Sequence, residues 1–129
     1  PDAAVALDVT NAHMPGGPRH KKDVQLGNGP VISYSATTSR AFTRTLIDTA
    51  EAHGIPYAVA AEPGATGTNA HVLQITRSGV PTALVSVPLR YMHTCAEVVS
   101  IDDAENAARL LCAFLENFPS AFAKKEAAI

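Results

Sequence analysis

The chain has no tryptophan, three tyrosines and four phenylalanines, so aromatics make up only 5% of its 129 residues. A core with so few rings is expected to be aliphatic. Charge is also scarce: 17% of residues are charged against 47% hydrophobic, which excludes a disordered, highly charged chain and reads as globular. The net charge is -2, and the one basic stretch is Arg19-His20-Lys21-Lys22. That leaves no electrostatic footprint for nucleic acid. No apolar run approaches the roughly 18 residues that cross a membrane, and no signal peptide is recognisable. The two cysteines, Cys95 and Cys112, are too few for a disulfide framework. They read as reduced thiols of an intracellular, cytoplasmic protein. A methionine start is lacking too: the chain opens on Pro1, which reads as a piece of something longer or a processed start.

What is present reads as one domain, long enough to bury a core without metal or disulfide staples. Ala3 to Val9 is a short apolar run, a buried strand with Asp8 near its end. Residues 11 to 30 hold Pro15-Gly16-Gly17-Pro18 and Gly27-Asn28-Gly29-Pro30, which makes them a long loop. Val31 to Ala36 reads as a second strand. Ser39 to His53 reads as a helix with Phe42, Leu46, Ile47 and Ala50 on one face and Gly54 as its stop. Tyr57 to Ala61 is a third strand. Thr66 or Thr68 would cap a helix to about Arg77, with Val72, Leu73 and Thr76 turned inward. Val80 to Val87, stopped by Pro88, is the clearest strand, and Val98-Val99 a short one. Ser100 or Asp102 then caps a helix over Asp103 to Phe118. Its apolar positions are Ala104, Ala107, Ala108, Leu111, Phe114, Leu115 and Phe118, and Pro119 stops it.

Strands alternating with helices argue for an α/β, layered helix–sheet–helix fold with a mixed, largely parallel sheet. In such sheets functional groups collect at the carboxyl ends of strands. Asp8 and His93 would share a rim if their strands run the same way. Asp8 reads either as a turn carboxylate taking backbone N–H groups or as a metal ligand. His93 reads either as an exposed histidine or as a ligand, in competition with His13, His20, His53 and His71. None of the histidines has a tight ligand spacing. The small residues Gly64-Ala65-Thr66-Gly67-Thr68-Asn69-Ala70 open a helix, whose free N–H groups suit an anion or a carbonyl oxygen. No Walker, dinucleotide or nucleophile-elbow pattern occurs.

Six ordered segments make a more specific signal. They are Ala6-Leu7-Asp8-Val9-Thr10, Leu26-Gly27-Asn28-Gly29-Pro30-Val31-Ile32, Gly54-Ile55-Pro56-Tyr57, Gly67-Thr68-Asn69-Ala70, Gly79-Val80-Pro81-Thr82-Ala83 and Pro88-Leu89-Arg90-Tyr91-Met92-His93. Together they resemble the C-terminal part of the M42 metalloaminopeptidases, a family that includes glutamyl and deblocking aminopeptidases and tetrahedral particles. Some members carry an endoglucanase or cellulase M label. The resemblance implies a zinc-peptidase-like catalytic domain, with residues 1–118 as its C-terminal part and 119–129 as a tail. It also implies two zinc or cobalt ions bridged by an aspartate, a glutamate as general base, and a peptide substrate cut at its N-terminal residue. Asp8 matches the terminal carboxylate ligand of one metal, and His93 the terminal histidine of the other. Gly67, Thr68 and Asn69 are the substrate-side candidates.

The departures are as informative. The family's bridge, its general base and its remaining ligands lie upstream of the segments matched here, so the resemblance assigns no catalytic base to this chain. Asn69 stands where the family has Asp, and Thr94-Cys95 replaces Ser-Pro. The expectation is a fragment that is inactive alone, binds metal weakly or not at all, and either self-associates or contacts the missing half. Two alternatives stay open. One is a non-catalytic assembly or binding module. The other is a glycosidase, which needs two positioned carboxylates from Asp8, Glu62 and Glu97.

Overall fold

A computed structural model describes residues 1–19 and 22–127, with the backbone alone from 119 onward. His20 and Lys21 of the basic stretch, and the side chains of the expected tail, lie outside the described residues. The elements are β1 (Ala4–Asn11), β2 (Val31–Tyr34), α1 (Arg40–Ala52), β3 (Ala58–Ala61), α2 (Ala70–Leu73), β4 (Thr82–Arg90), β5 (Val98–Val99) and α3 (Ile101–Ala127). The sheet runs β1-β4-β2-β3, with β5 pairing β4. β1 is parallel to β4 and β2 to β3, while β4 is antiparallel to β2 and β5. The sheet is mixed and largely parallel as expected: the parallel β1–β4 and β2–β3 ladders are each longer than the antiparallel β2–β4 and β4–β5 ones.

The register explains why β4 does not end at Pro88. The carbonyls of Pro81 and Leu89 accept from the N–H groups of Ala4 and Ala12, so odd-numbered residues of β4 turn their backbone polar groups toward β1. Even-numbered residues turn theirs to the opposite flank, where Ser86 faces Val31 of β2 and Arg90 faces Val98 of β5. Pro88 falls in the gap between those two partners. No neighbouring strand there asks for the donor that proline lacks, and the strand continues to Arg90.

The main core lies between one sheet face and the α1/α3 pair. It buries Ile32, Phe42, Leu46, Ile47, Ala50, Ala83, Val85, Ala107, Leu110 and Phe114. Its centre is more aromatic than the composition suggests. Phe42 meets Phe114 edge-on at 5.2 Å and Phe118 at 6.1 Å between ring centroids, an arrangement rings favour. α1 forms as expected: Ser39 caps it, accepting from the Phe42 N–H at 3.3 Å. Its buried threonines keep their hydroxyls satisfied on their own helix, Thr43 on the Ser39 carbonyl, Thr45 on Ala41 and Thr49 on Thr45.

Three helix expectations shift. α2 is a single turn over Ala70–Leu73 rather than a helix to Arg77. Val72 is 57% exposed and Thr76 lies outside the turn, while Leu73 alone of the three packs inward, against Ala6, Ala70 and Leu84. One turn suffices because this face of the sheet offers only that small cluster to cover. In α3 the inner stripe is Asp103, Ala107, Leu110 and Phe114, so Ala104, Ala108 and Leu115 face outward. The rotation follows from Asp103, which is drawn into the interior by the loop before β2. Pro119 does not end α3, whose backbone continues to Ala127. A proline inside a helix forgoes one backbone bond, here to the Leu115 carbonyl.

Candidate metal centre

Asp8 lies within β1 rather than at its end. It pairs with Ser86, and β1 continues to Asn11 opposite Leu89. Side chains alternate along a strand, so Asp8 shares its face with Ala6 and Thr10. Leu7 and Val9 point the other way and are 57% and 40% exposed. The Asp8 Oδ1 accepts the N–H of Val9 at 2.8 Å.

His93 sits at the tip of the turn joining β4 to β5, which pair through Leu89–Val99 and Arg90–Val98. The turn is unusual. Tyr91 and His93 both have positive φ, 61° and 63°, a region that costs an L-residue with a side chain on the order of 1 kcal/mol. The turn is held by Thr94, whose N–H and hydroxyl both donate to the Tyr91 carbonyl. It is held again by Glu97, whose Oε1 accepts the His93 N–H at 2.7 Å. At its base, Arg90 Nε donates to the His13 carbonyl at 2.9 Å. This ties the exit of β4 to the loop leaving β1. The Nδ1 of His13 is buried without a partner.

Because β1 and β4 are parallel, the His93 turn projects beyond the carboxyl end of β1, the end toward which the strand runs past Asp8. Asp8 and His93 are not adjacent in height. From the level of Asp8, β4 climbs from Ser86 to Arg90, about 13 Å at the usual strand rise, before the His93 turn. That turn leans to the β5 flank of β4, away from β1. Among the described residues, no cluster of three or more His, Cys, Asp or Glu side chains is placed to hold a metal.

The substrate-side candidates lie lower on the sheet. Thr68 donates its hydroxyl to Thr66 and accepts the Ala70 N–H, and Thr66 N–H reaches Thr37 beyond the far end of β2. Ala70 packs on Ala6 and Leu84. Gly67, Thr68 and Asn69 thus lead into the turn whose Ala70 packs on Ala6, the residue one side-chain step below Asp8 on the same face. Asn69 is exposed and gives no side-chain cap. Of the other histidines, His53 bonds the Thr49 carbonyl through Nδ1 at 3.0 Å, and His71 is exposed on α2.

The family model for M42 glutamyl aminopeptidases matches residues 1–110. This chain belongs to the M42 family. The M42 chain is 37% identical over 116 residues to a lysyl aminopeptidase of Pyrococcus furiosus, covering 90% of itself and 33% of that protein. Its fold matches a TET aminopeptidase of a marine sediment thaumarchaeon with a TM-score of 0.87 at 26% identity, over 97% of this chain and 36% of that one. It also matches the TET1 peptidase of Pyrococcus horikoshii, which assembles into a tetrahedron or a large octahedral shell. There the TM-score is 0.63 at 30% identity, over 85% and 32% of the two chains. The M42 chain thus spans about a third of the length of these relatives.

The donors fit a divalent transition metal in kind: a carboxylate with one oxygen already oriented by Val9, and an exposed imidazole. They fall short in number, because a catalytic zinc takes three protein ligands. The glycosidase candidates are spread apart. Glu62 follows β3, its N–H bonded to the Tyr34 carbonyl, at the end of the sheet opposite the His93 turn that holds Glu97. No helix of the described residues is long and apolar enough to cross a membrane.

Proposed function

We propose that this chain is the C-terminal part of the catalytic domain of a dinuclear-metal aminopeptidase that removes N-terminal residues from peptides. The observation that carries the reading is the parallel β1–β4 register within an M42 match. It sends the strand of Asp8 and the turn of His93 to one end of the sheet. Asp8 would hold one metal and His93 the other, as terminal ligands. When bound, zinc or cobalt would polarise the scissile carbonyl and lower the pKa of the attacking water. The chain's own contribution is to orient: β1 fixes the Asp8 carboxylate, and the β4–β5 turn presents the imidazole. Gly67, Thr68 and Asn69 are proposed on the substrate side. The general base and bridging carboxylate would come from polypeptide outside this chain, so the 129 residues alone are inactive. The exposed free thiols of Cys95 and Cys112 agree with a reducing cytoplasm.

Partnership is part of the proposal. Among the described residues β1 pairs on one flank only, and its own Leu7 and Val9 are exposed. An apolar recess of about 300 Å³ lined by Ala3, Val5, Leu111, Leu115 and Phe118 opens at its base. A strand so exposed is a docking edge. We assign it to the polypeptide that completes the domain.

The test is hydrolysis of aminoacyl-p-nitroanilides by the purified chain with added zinc or cobalt. No turnover is expected, and robust turnover would overturn the fragment reading. A zinc titration followed by NMR should show weak binding that Asp8→Ala and His93→Ala each reduce. Carboxymethylcellulose cleavage would revive the glycosidase reading.

A further inference from the structure

We propose that Glu97 is a positioning residue for the imidazole of His93, acting through the backbone of the turn rather than on the ring. The proposal rests on the reading of His93 as a metal ligand. Its Oε1 accepts the His93 N–H at 2.7 Å, a short, charge-assisted bond. That bond closes a turn in which Tyr91 and His93 both take positive φ.

Why a histidine stands there is the informative point. A turn that only reversed the chain would carry glycine at a left-handed position, because glycine meets no Cβ clash there. Five glycines of this chain do so, Gly16, Gly27, Gly29, Gly54 and Gly79. Arg77 also takes this region, at φ 55°, so what distinguishes His93 is the carboxylate that closes its turn and the bearing the conformation gives its ring. In the left-handed conformation the Cβ of His93 leaves the backbone on a different bearing from that of an extended residue continuing β4. The imidazole is exposed, and Thr94 closes the turn onto the Tyr91 carbonyl without engaging the His93 N–H. The acceptor for that N–H is Glu97, four residues on. Glu97 is itself anchored, since Val98 next to it pairs with Arg90. Arg90 in turn grips the His13 carbonyl of the loop leaving β1. The aim of His93 is thereby referenced to the strand of Asp8.

The test compares Glu97→Ala, which removes the acceptor, with Glu97→Gln, which keeps an oxygen but loses the charge. In ¹⁵N-labelled chain, the HN–Hα coupling and intraresidue NOE of His93 report its left-handed conformation. Titration with Zn²⁺ alone, followed on the His93 ring resonances, reports affinity even when weak. Circular dichroism and the melting temperature serve as fold controls. Glu97→Ala is expected to lose the left-handed signature and weaken zinc binding about tenfold, as removal of an outer partner of a ligand does. Glu97→Gln should keep the signature and stay within about twofold of the parent affinity. An unchanged signature in Glu97→Ala overturns the proposal. So does an equal loss of affinity in both variants, which would mean that the charge acts rather than the acceptor. Zinc affinity unmoved by His93→Ala instead overturns the ligand reading, while the backbone signature still decides the role of Glu97.

Discussion

Asp103 and Gly29 are joined by a buried 2.8 Å hydrogen bond across 74 residues of chain, from the glycine N–H to the carboxylate Oδ1. The second oxygen of the same carboxylate accepts the Gly27 N–H, also at 2.8 Å. Asp103 is fully buried at the start of α3. It therefore locks the Leu26-Gly27-Asn28-Gly29-Pro30 loop onto the helix that follows the His93 turn. A buried carboxylate with both oxygens on backbone donors is a satisfied group.

Replacing it leaves two donors without partners. Asp103→Ala is expected to cost about 3 kcal/mol, since each buried unsatisfied N–H carries about 1–3 kcal/mol. Asp103→Asn retains one accepting oxygen and should fall between the two. Urea unfolding followed by circular dichroism measures both. An Asp103→Ala midpoint equal to that of the parent would show that the loop holds without the clamp.

Gly29 is held from the other side as well. Its φ is +91°, and a Cβ there would lie 2.0 Å from the Pro56 carbonyl oxygen. That oxygen is backbone and cannot swing away. Gly29→Ala combines a left-handed strain of about 1–3 kcal/mol with overpacking of similar size. Soluble yield and melting temperature should fall sharply. Gly27→Ala, at φ +88° with open space around its Cβ, should cost only the strain. Equal losses at the two positions would remove the contact with Pro56 from the explanation.

Tyr57 supplies a pH-dependent signal. Its pKa is raised above 10.0, first by the hydrogen bond to Glu51 and then by desolvation. The hydroxyl donates to Glu51 Oε1 at 2.8 Å. A group whose folded pKa is raised binds its proton more tightly in the folded state. Its contribution is therefore complete below pH 10 and is lost as pH rises through the folded value. The side chain is largely solvated, so the effect on stability is small. The phenolate absorbance near 295 nm should rise at lower pH in Glu51→Gln than in the parent. Coincident titration curves would show that the Glu51 contact does not persist in solution.

Much of the architecture was legible because local rules and tertiary context agree. Ser39 before an apolar stripe specifies the start of α1 whatever packs on it, since the cap needs only its own N–H groups. The short apolar runs around Val5, Ile32 and Val85 became strands as read, because each is too short and too β-branched to settle otherwise. The six ordered segments led to the right family for a related reason: Gly27, Gly29 and Asp103 show how tightly one of them is constrained.

The misreadings share one cause. Pro88 reads as a strand stop, and Asp103 only as the first residue of the last helix. Leu115 looked like core. In each case the deciding partner lies far away in sequence: the gap between β2 and β5, the Gly27–Gly29 loop, the uncovered flank of β1. Asp8, likewise, was placed at a strand end because Val9 closes the apolar run, whereas pairing with Leu89 carries β1 on to Asn11.

By itself the sequence determined the element types and the family, since periodicity, capping and glycine placement act over a few residues. Tertiary structure alone decided that β1 and β4 run parallel, with Asp8 midway along β1 and the His93 turn beyond the shared carboxyl end of the two strands. Strand direction depends on hydrogen bonds between segments some 80 residues apart, which no local pattern encodes.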